Sequence, residues 1–152
     1  MEAEMRIERT LKITPAEFYE NMQKSMADQI NAELGKDLSP EDIVSGYTHK
    51  VKTTTKGGTS RVTRFSVVRS VPNKEMVIAH HSPDAKSKTS YLISEDPQGC
   101  HLVFEQETEY LNPEVKPTGF RLKLTDFLSA GKINRQLTAL EIQIEKERKK
   151  NS

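Results

Sequence analysis

Polar and apolar residues alternate from Glu4 to Ile13. Met5, Ile7, Arg9, Leu11 and Ile13 share one face, and Glu4, Arg6, Glu8, Thr10 and Lys12 share the other. A period of two with one apolar side predicts a half-buried strand. Arg9 is the exception on its inner face. The period then changes: Phe18, Met22, Met26, Ile30 and Leu34 recur at every fourth position, which predicts a helix. Thr14-Pro15-Ala16-Glu17 supplies its start, with Thr14 able to cap, Pro15 suited to the first helical position and Glu17 placed to reach back. Gly35 is a natural stop. A strict step of four drifts around a helix, so this one is expected to curve or to frame an opening. Ser39-Pro40-Glu41-Asp42 predicts a second, short helix by the same logic, ending at Gly46.

Strand candidates follow, separated by turn chemistry. Gly46 to Lys56 turns at Gly57-Gly58 into Thr59 to Val71, and Pro72-Asn73 leads to Lys74 to His81. Ser82-Pro83-Asp84-Ala85 leads to Lys86 to Glu95, and Asp96-Pro97-Gln98-Gly99 to Cys100 to Leu111. Glycine allows positive φ, proline presets φ, and Asn and Asp bond locally to the backbone. The last hairpin permits a register test. If Asp96 pairs with Gly99, Lys88 lies opposite Glu107, Lys86 opposite Glu109, Tyr91 opposite Phe104 and Ile93 opposite Leu102. Charge meets charge and apolar meets apolar, and each such pair contributes ~0.2–1 kcal/mol. A slip of one residue would reverse every side chain of one strand.

Carried through the neighbouring turns, this register defines an inner face. It holds Tyr47, His49, Val51, Thr53, Thr63, Phe65, Val67, Arg69, Met76, Ile78 and His80. It continues with Thr89, Tyr91, Ile93, Leu102, Phe104, Gln106, Thr108 and Tyr110. The outer face holds Lys50, Lys52, Arg64, Lys86, Lys88, Glu105, Glu107 and Glu109. The Gly57-Gly58 hairpin fits two registers one residue apart, which leaves His49 and Phe65 less fixed than the rest. Asn112 to Gly119 reads as a loop. Phe120, Leu124, Phe127, Ala130, Ile133, Leu137, Leu140 and Ile144 then predict a long amphipathic helix, followed by a charged, fraying tail over 145–152. Gly131 in its middle marks either a close approach to the sheet or a bend.

The chain has 152 residues, 34% apolar and 30% charged, a size and polarity that suit a single α+β domain with one wet sheet face. A net charge of +1 leaves nucleic acid and anionic membranes without an electrostatic footprint. Cys100 stands alone, so no internal disulfide forms and a reducing cytoplasm is the expected location. The acidic start lacks the features of a signal peptide, and no apolar run is long enough to span a membrane.

The order strand, helix pair, antiparallel strands, long helix resembles the helix-grip fold of the START and birch-pollen-allergen superfamily. The opening Arg9-Thr10-Leu11-Lys12-Ile13-Thr14-Pro15-Ala16-Glu17-Phe18-Tyr19 is similar to its usual start, a strand followed at once by a capped helix with an early aromatic. Details look closest to a small branch from Gram-positive bacteria. The resemblance covers nearly the whole chain. It implies a curved antiparallel sheet of about six strands wrapped around the C-terminal helix, and a cavity between them for a lipid- or polyketide-like molecule. Relatives include cyclases and activators of a chaperone ATPase, so fold alone does not choose.

The inner face carries more polar groups than a packed core tolerates without partners. Arg9, His49, Arg69, His80, Tyr91, Gln106 and Tyr110 are therefore candidates to line a cavity, together with Phe18, Met22, Met26, Phe65, Phe104, Leu124 and Phe127. An inward Arg9 needs a carboxylate, carbonyls or an anionic ligand group. The competing account is mutual pairing, with Arg9 in an internal ion pair. His80 and His81 are adjacent on a strand and point to opposite faces, so they cannot share a metal ion. No metal, cofactor or catalytic set is predicted. Cys100, after a turn, is expected to be semi-exposed. Lys50, Lys52, Lys56, Arg61 and Arg64 lack interleaved aromatics and read as a solvated edge. The expected function is non-catalytic binding of a small hydrophobic or aromatic ligand by a monomer or weak homodimer. The alternatives are a cyclase- or hydrolase-type enzyme using the same cavity, and a protein-interaction module.

Overall fold

The computed structural model describes residues 2–54, 57–58, 60–83, 85–110 and 119–150, with backbone alone at 2, 3, 53, 54, 61 and 119–130. Strand β1 (Glu2–Leu11) leads into helix α1 (Pro15–Leu34). Strands β2 (Thr48–Thr54), β3 (Ser60–Val71), β4 (Glu75–His81), β5 (Ala85–Asp96) and β6 (Gly99–Tyr110) follow, then helix α2 (Gly119–Lys150). The strands form one six-stranded sheet in the order β1-β6-β5-β4-β3-β2. Every neighbouring pair is antiparallel. The architecture is α+β, as expected.

Helix α1 starts as its residues require. Thr14 accepts from the Glu17 N–H at 3.1 Å, and the Glu17 carboxylate accepts from the Thr14 N–H at 2.8 Å, closing a capping box. Gly35, at φ 64, ends the helix in the left-handed region and donates to the Asn31 carbonyl. The second helix is shorter than expected, a single 3-10 turn at Pro40–Asp42. Asp42 accepts from the Ser39 N–H at 2.9 Å, which satisfies one turn, and fully buried Ile43 then draws the chain into the core. Gly46, at φ 94, donates instead to Val67 of β3.

The β5–β6 register is the expected one. Asp96 pairs with Gly99, Lys88 with Glu107, Lys86 with Glu109, Tyr91 with Phe104 and Ile93 with Leu102. At the Gly57-Gly58 hairpin, His49 lies opposite Phe65 and Val51 opposite Thr63. The β3–β4 ladder departs from simple alternation. Val67 pairs with Ile78 and Arg69 with Val77, so Val68 is an extra residue, a β-bulge. One added residue reverses the parity beyond it. Arg69, expected inside, therefore faces out and pairs with Glu75 at 2.8 Å. Ser70 takes the inner place and meets the Tyr19 hydroxyl.

The core lies between α1, the inner sheet face and the C-terminal half of α2. Leu11, Ile13, Ile43, Met76, Cys100 and Leu102 are wholly buried in it. Cys100 is thus interior rather than semi-exposed, and burial, with Glu141, Asp96 and Glu17 nearby, pushes its thiol up to about 11. Ile13 belongs to this core although β1 ends at Leu11. Helix α2 runs to Lys150, so the expected fraying after residue 144 does not occur. Its last turn is tied back, since Arg148 donates to both Glu17 carboxylate oxygens and to the Lys12 carbonyl. Residues 112–118 of the expected loop lie outside the described residues.

Candidate functional site

A half-open groove of about 650 Å³ separates α1 and α2 on the inner side of the sheet. Helix α1 contributes Phe18, Met22, Met26 and Ile30, with Asn21, Ser25, Gln29 and Glu33 beside them. The sheet contributes His49 and Val51 from β2, Thr63 and Phe65 from β3, Ile78 and His80 from β4, and Tyr91 from β5. Helix α2 closes one side with Leu137 and Leu140 and presents Gln136 and Gln143. The drifting stripe of α1 explains the opening: Phe18 and Met22 are buried, while Met26 is half-buried and leans on the core from its rim.

The sheet wall is aromatic. His49, Phe65 and His80 form one cross-strand row over β2, β3 and β4. The His49 ring stacks on Phe65 with centroids 5.0 Å apart, and His80 meets Phe65 edge-on at 5.2 Å. The Tyr47 hydroxyl hydrogen-bonds His49 Nδ1 at 3.0 Å, and the Lys36 ammonium sits 5.7 Å from the Tyr47 ring centroid. Desolvation, then the Lys36 and His80 charges, hold the His49 imidazole below its usual range. His80 lies at the rim and is exposed. Protein on its inner side still desolvates the ring and lowers its pKa. Burial raises the Tyr91 phenol, which packs between Phe18 and Phe104. At neutral pH these three offer hydrogen bonds without charge.

Of the residues expected to line a cavity, the groove gathers Phe18, Met22, Met26, His49, Phe65, His80 and Tyr91. Others fall elsewhere. Arg9 points inward but donates to the Asn134 carbonyl at 2.8 Å, to Thr138 at 2.7 Å and to Glu141 at 2.9 Å, so α2 takes its guanidinium. Phe104 is packed core at 2% exposure. Gln106 reaches Thr89 at 3.5 Å, and Tyr110 is half-buried at the end of β6. None of these four lines the groove. The side chains of Leu124 and Phe127, like that of Arg61, lie outside the described residues. Sequence reasoning missed the polar edge of α1, Asn21, Ser25, Gln29 and Glu33. These stand one place before Met22, Met26, Ile30 and Leu34 of the apolar stripe. That spacing was the signal that could have found them. Among the described residues, no group of three or more His, Cys, Asp or Glu could hold a metal ion.

A sheet gripping a C-terminal helix, with a groove between them, defines a helix-grip protein, and solved structures agree. The fold matches Ara h 8.0201, of the birch-pollen-allergen type, at TM-score 0.62 and 9% identity over 96% of this chain and 99% of that one. It matches protein CV1439 from Chromobacterium violaceum at TM-score 0.58 and 19% identity, over 90% and 96%. It matches the Aha1 dimer from Colwellia psychrerythraea at TM-score 0.52 and 18% identity, over 93% and 97%. The chain belongs to the family described as "Domain of unknown function (DUF3284)", which matches residues 5–120. No curated protein matches the sequence. No described helix is long and apolar enough to cross a membrane.

Proposed function

We propose that this protein binds a small amphiphilic molecule, lipid- or polyketide-like, in the groove between α1, the sheet and α2, without transforming it. The observation that carries this reading is the groove itself. Its volume of about 650 Å³ falls within the range of small-molecule sites, and its wall is mostly apolar with a few polar groups. Met22 and Met26 adapt to ligand shape, and His49, His80 and Tyr91 would orient polar atoms.

Native mass spectrometry of the purified protein tests it first, followed by titration with the neutral fluorophore 1-aminoanthracene. An added mass lost on denaturation, or saturable fluorescence enhancement, is expected. Ser25→Trp, on an exposed position of the groove edge, should weaken probe binding with little change in stability. A bare mass and no enhancement would sink the proposal.

A second reading, a protein-interaction module, rests on the outer sheet face, where Val68 is 53% and Leu92 41% exposed. The Colwellia Aha1 structure is described as a dimer. Sedimentation of this chain, compared with Leu92→Glu, would favour that reading if a dimer forms and the variant dissociates it.

A further inference from the structure

Resting on the binding reading, we infer that the groove selects by head-group charge: it takes an uncharged amphiphile and discriminates against the same apolar body bearing a carboxylate. The argument is an account of where the charges go. Among the described lining residues, the formal charge at neutral pH is that of Glu33, an anion that repels another. The cations that could have answered a carboxylate are held elsewhere. Arg9, the guanidinium that β1 sends inward, is bound by Glu141, Thr138 and the Asn134 carbonyl. Arg148 is bound by Glu17. The Val68 bulge turns Arg69 to the outer face, against Glu75. Lys36 lies over the Tyr47 ring and does not line the groove.

The row His49, Phe65, His80 completes the picture. Its ends are two strands apart, about 10 Å along the sheet, on either side of an apolar ring. Desolvation keeps both imidazoles in the neutral form. A neutral imidazole offers one donor and one acceptor, which suits a hydroxyl or carbonyl head. A carboxylate placed there would lose hydration without gaining a counter-charge.

The experiment is competition against bound 1-aminoanthracene at pH 7.5, using oleyl alcohol and oleate below their aggregation concentrations. The two share one tail and differ in the head. Oleyl alcohol should displace the probe at a concentration about tenfold lower than oleate, roughly 1.4 kcal/mol. Glu33→Gln should narrow that gap by improving oleate alone. Equal or tighter displacement by oleate, or a gap unmoved by Glu33→Gln, would overturn the inference while leaving groove binding intact. Failure of the probe itself to bind would overturn both.

Discussion

Arg9 is where a single side chain decides between two uses of the inner face. A guanidinium on an otherwise apolar strand face must meet an acceptor or an anion, and the acceptors turn out to be the protein's own. Arg9 and Glu141 are 24% and 14% exposed, so removing one partner strands the other in a poorly hydrated site. Arg9→Met should cost about 2–3 kcal/mol in urea denaturation. Arg9→Met with Glu141→Gln should recover more than half of that. No charge is then stranded, and the amide oxygen that replaces the carboxylate can still accept from the Lys12 N–H, as Glu141 does. Glu17 supplies a pH-dependent counterpart. Arg148, together with the Thr14 cap, lowers its carboxyl from 4.5 to about 2. A carboxyl depressed in the folded state stabilises above its unfolded pKa, and that stability is lost as pH falls through the folded pKa. The contribution, about 1–2 kcal/mol after screening at this partly exposed site, should be full above pH 5 and fade between about 4.5 and 2. Denaturation midpoints of the parent and Glu17→Gln, measured across that window, should converge at its acid end.

Elements show what periodicity can and cannot resolve. The β5–β6 register was legible because two independent matches, charge opposite charge and apolar opposite apolar, agree on one alignment. The Val68 bulge was not. Val67 and Val68 are both apolar, and alternation cannot say which of two adjacent valines is the insertion. The cost of that ambiguity was Arg69, assigned to the wrong face. The 3-10 turn at Pro40–Asp42 was read as a helix because its start signals are those of a helix; what ends it is the burial of Ile43, a tertiary event. Gly99 marks another such constraint. At φ 150, a Cβ there would meet the Leu11 carbonyl and lie 2.7 and 2.8 Å from the Ile13 O and N. These are backbone atoms of the β1–α1 junction, which cannot step aside. Gly99→Ala should therefore destabilise by about 2–3 kcal/mol, read as a fall in Tm. Gly35→Ala, which meets nothing within 4 Å, should cost only the strain of its positive φ, about 1 kcal/mol.

At the scale of the whole molecule, α2 is anchored at its C-terminal half by Arg9–Glu141 and Arg148–Glu17, and the groove opens between that half and α1. A ligand bound there touches both helices and the sheet, so its binding energy adds to global stability. At a hundred times its Kd, a groove ligand should stabilise by about 2.7 kcal/mol and raise Tm by about 5–10 °C. Scanning calorimetry with and without 1-aminoanthracene measures this, and Ser25→Trp should abolish the rise. The candidate site was legible in part. Phe18, Met22, Met26, His49, Phe65, His80 and Tyr91 could be named because helical and strand periods place them on inward faces. Local chemistry also determined the α1 capping box, the strand order along the chain and the last hairpin, since each depends on neighbours in sequence or on one turn. Tertiary structure alone decided whether an inward polar residue meets solvent, ligand or protein. Arg9, Gln106 and Phe104 share the inner face with His49 and Tyr91, yet they are withdrawn from the groove because α2, Thr89 and the core reach them first. That outcome depends on contacts between residues more than a hundred positions apart, such as Arg9 and Glu141, which no local period encodes.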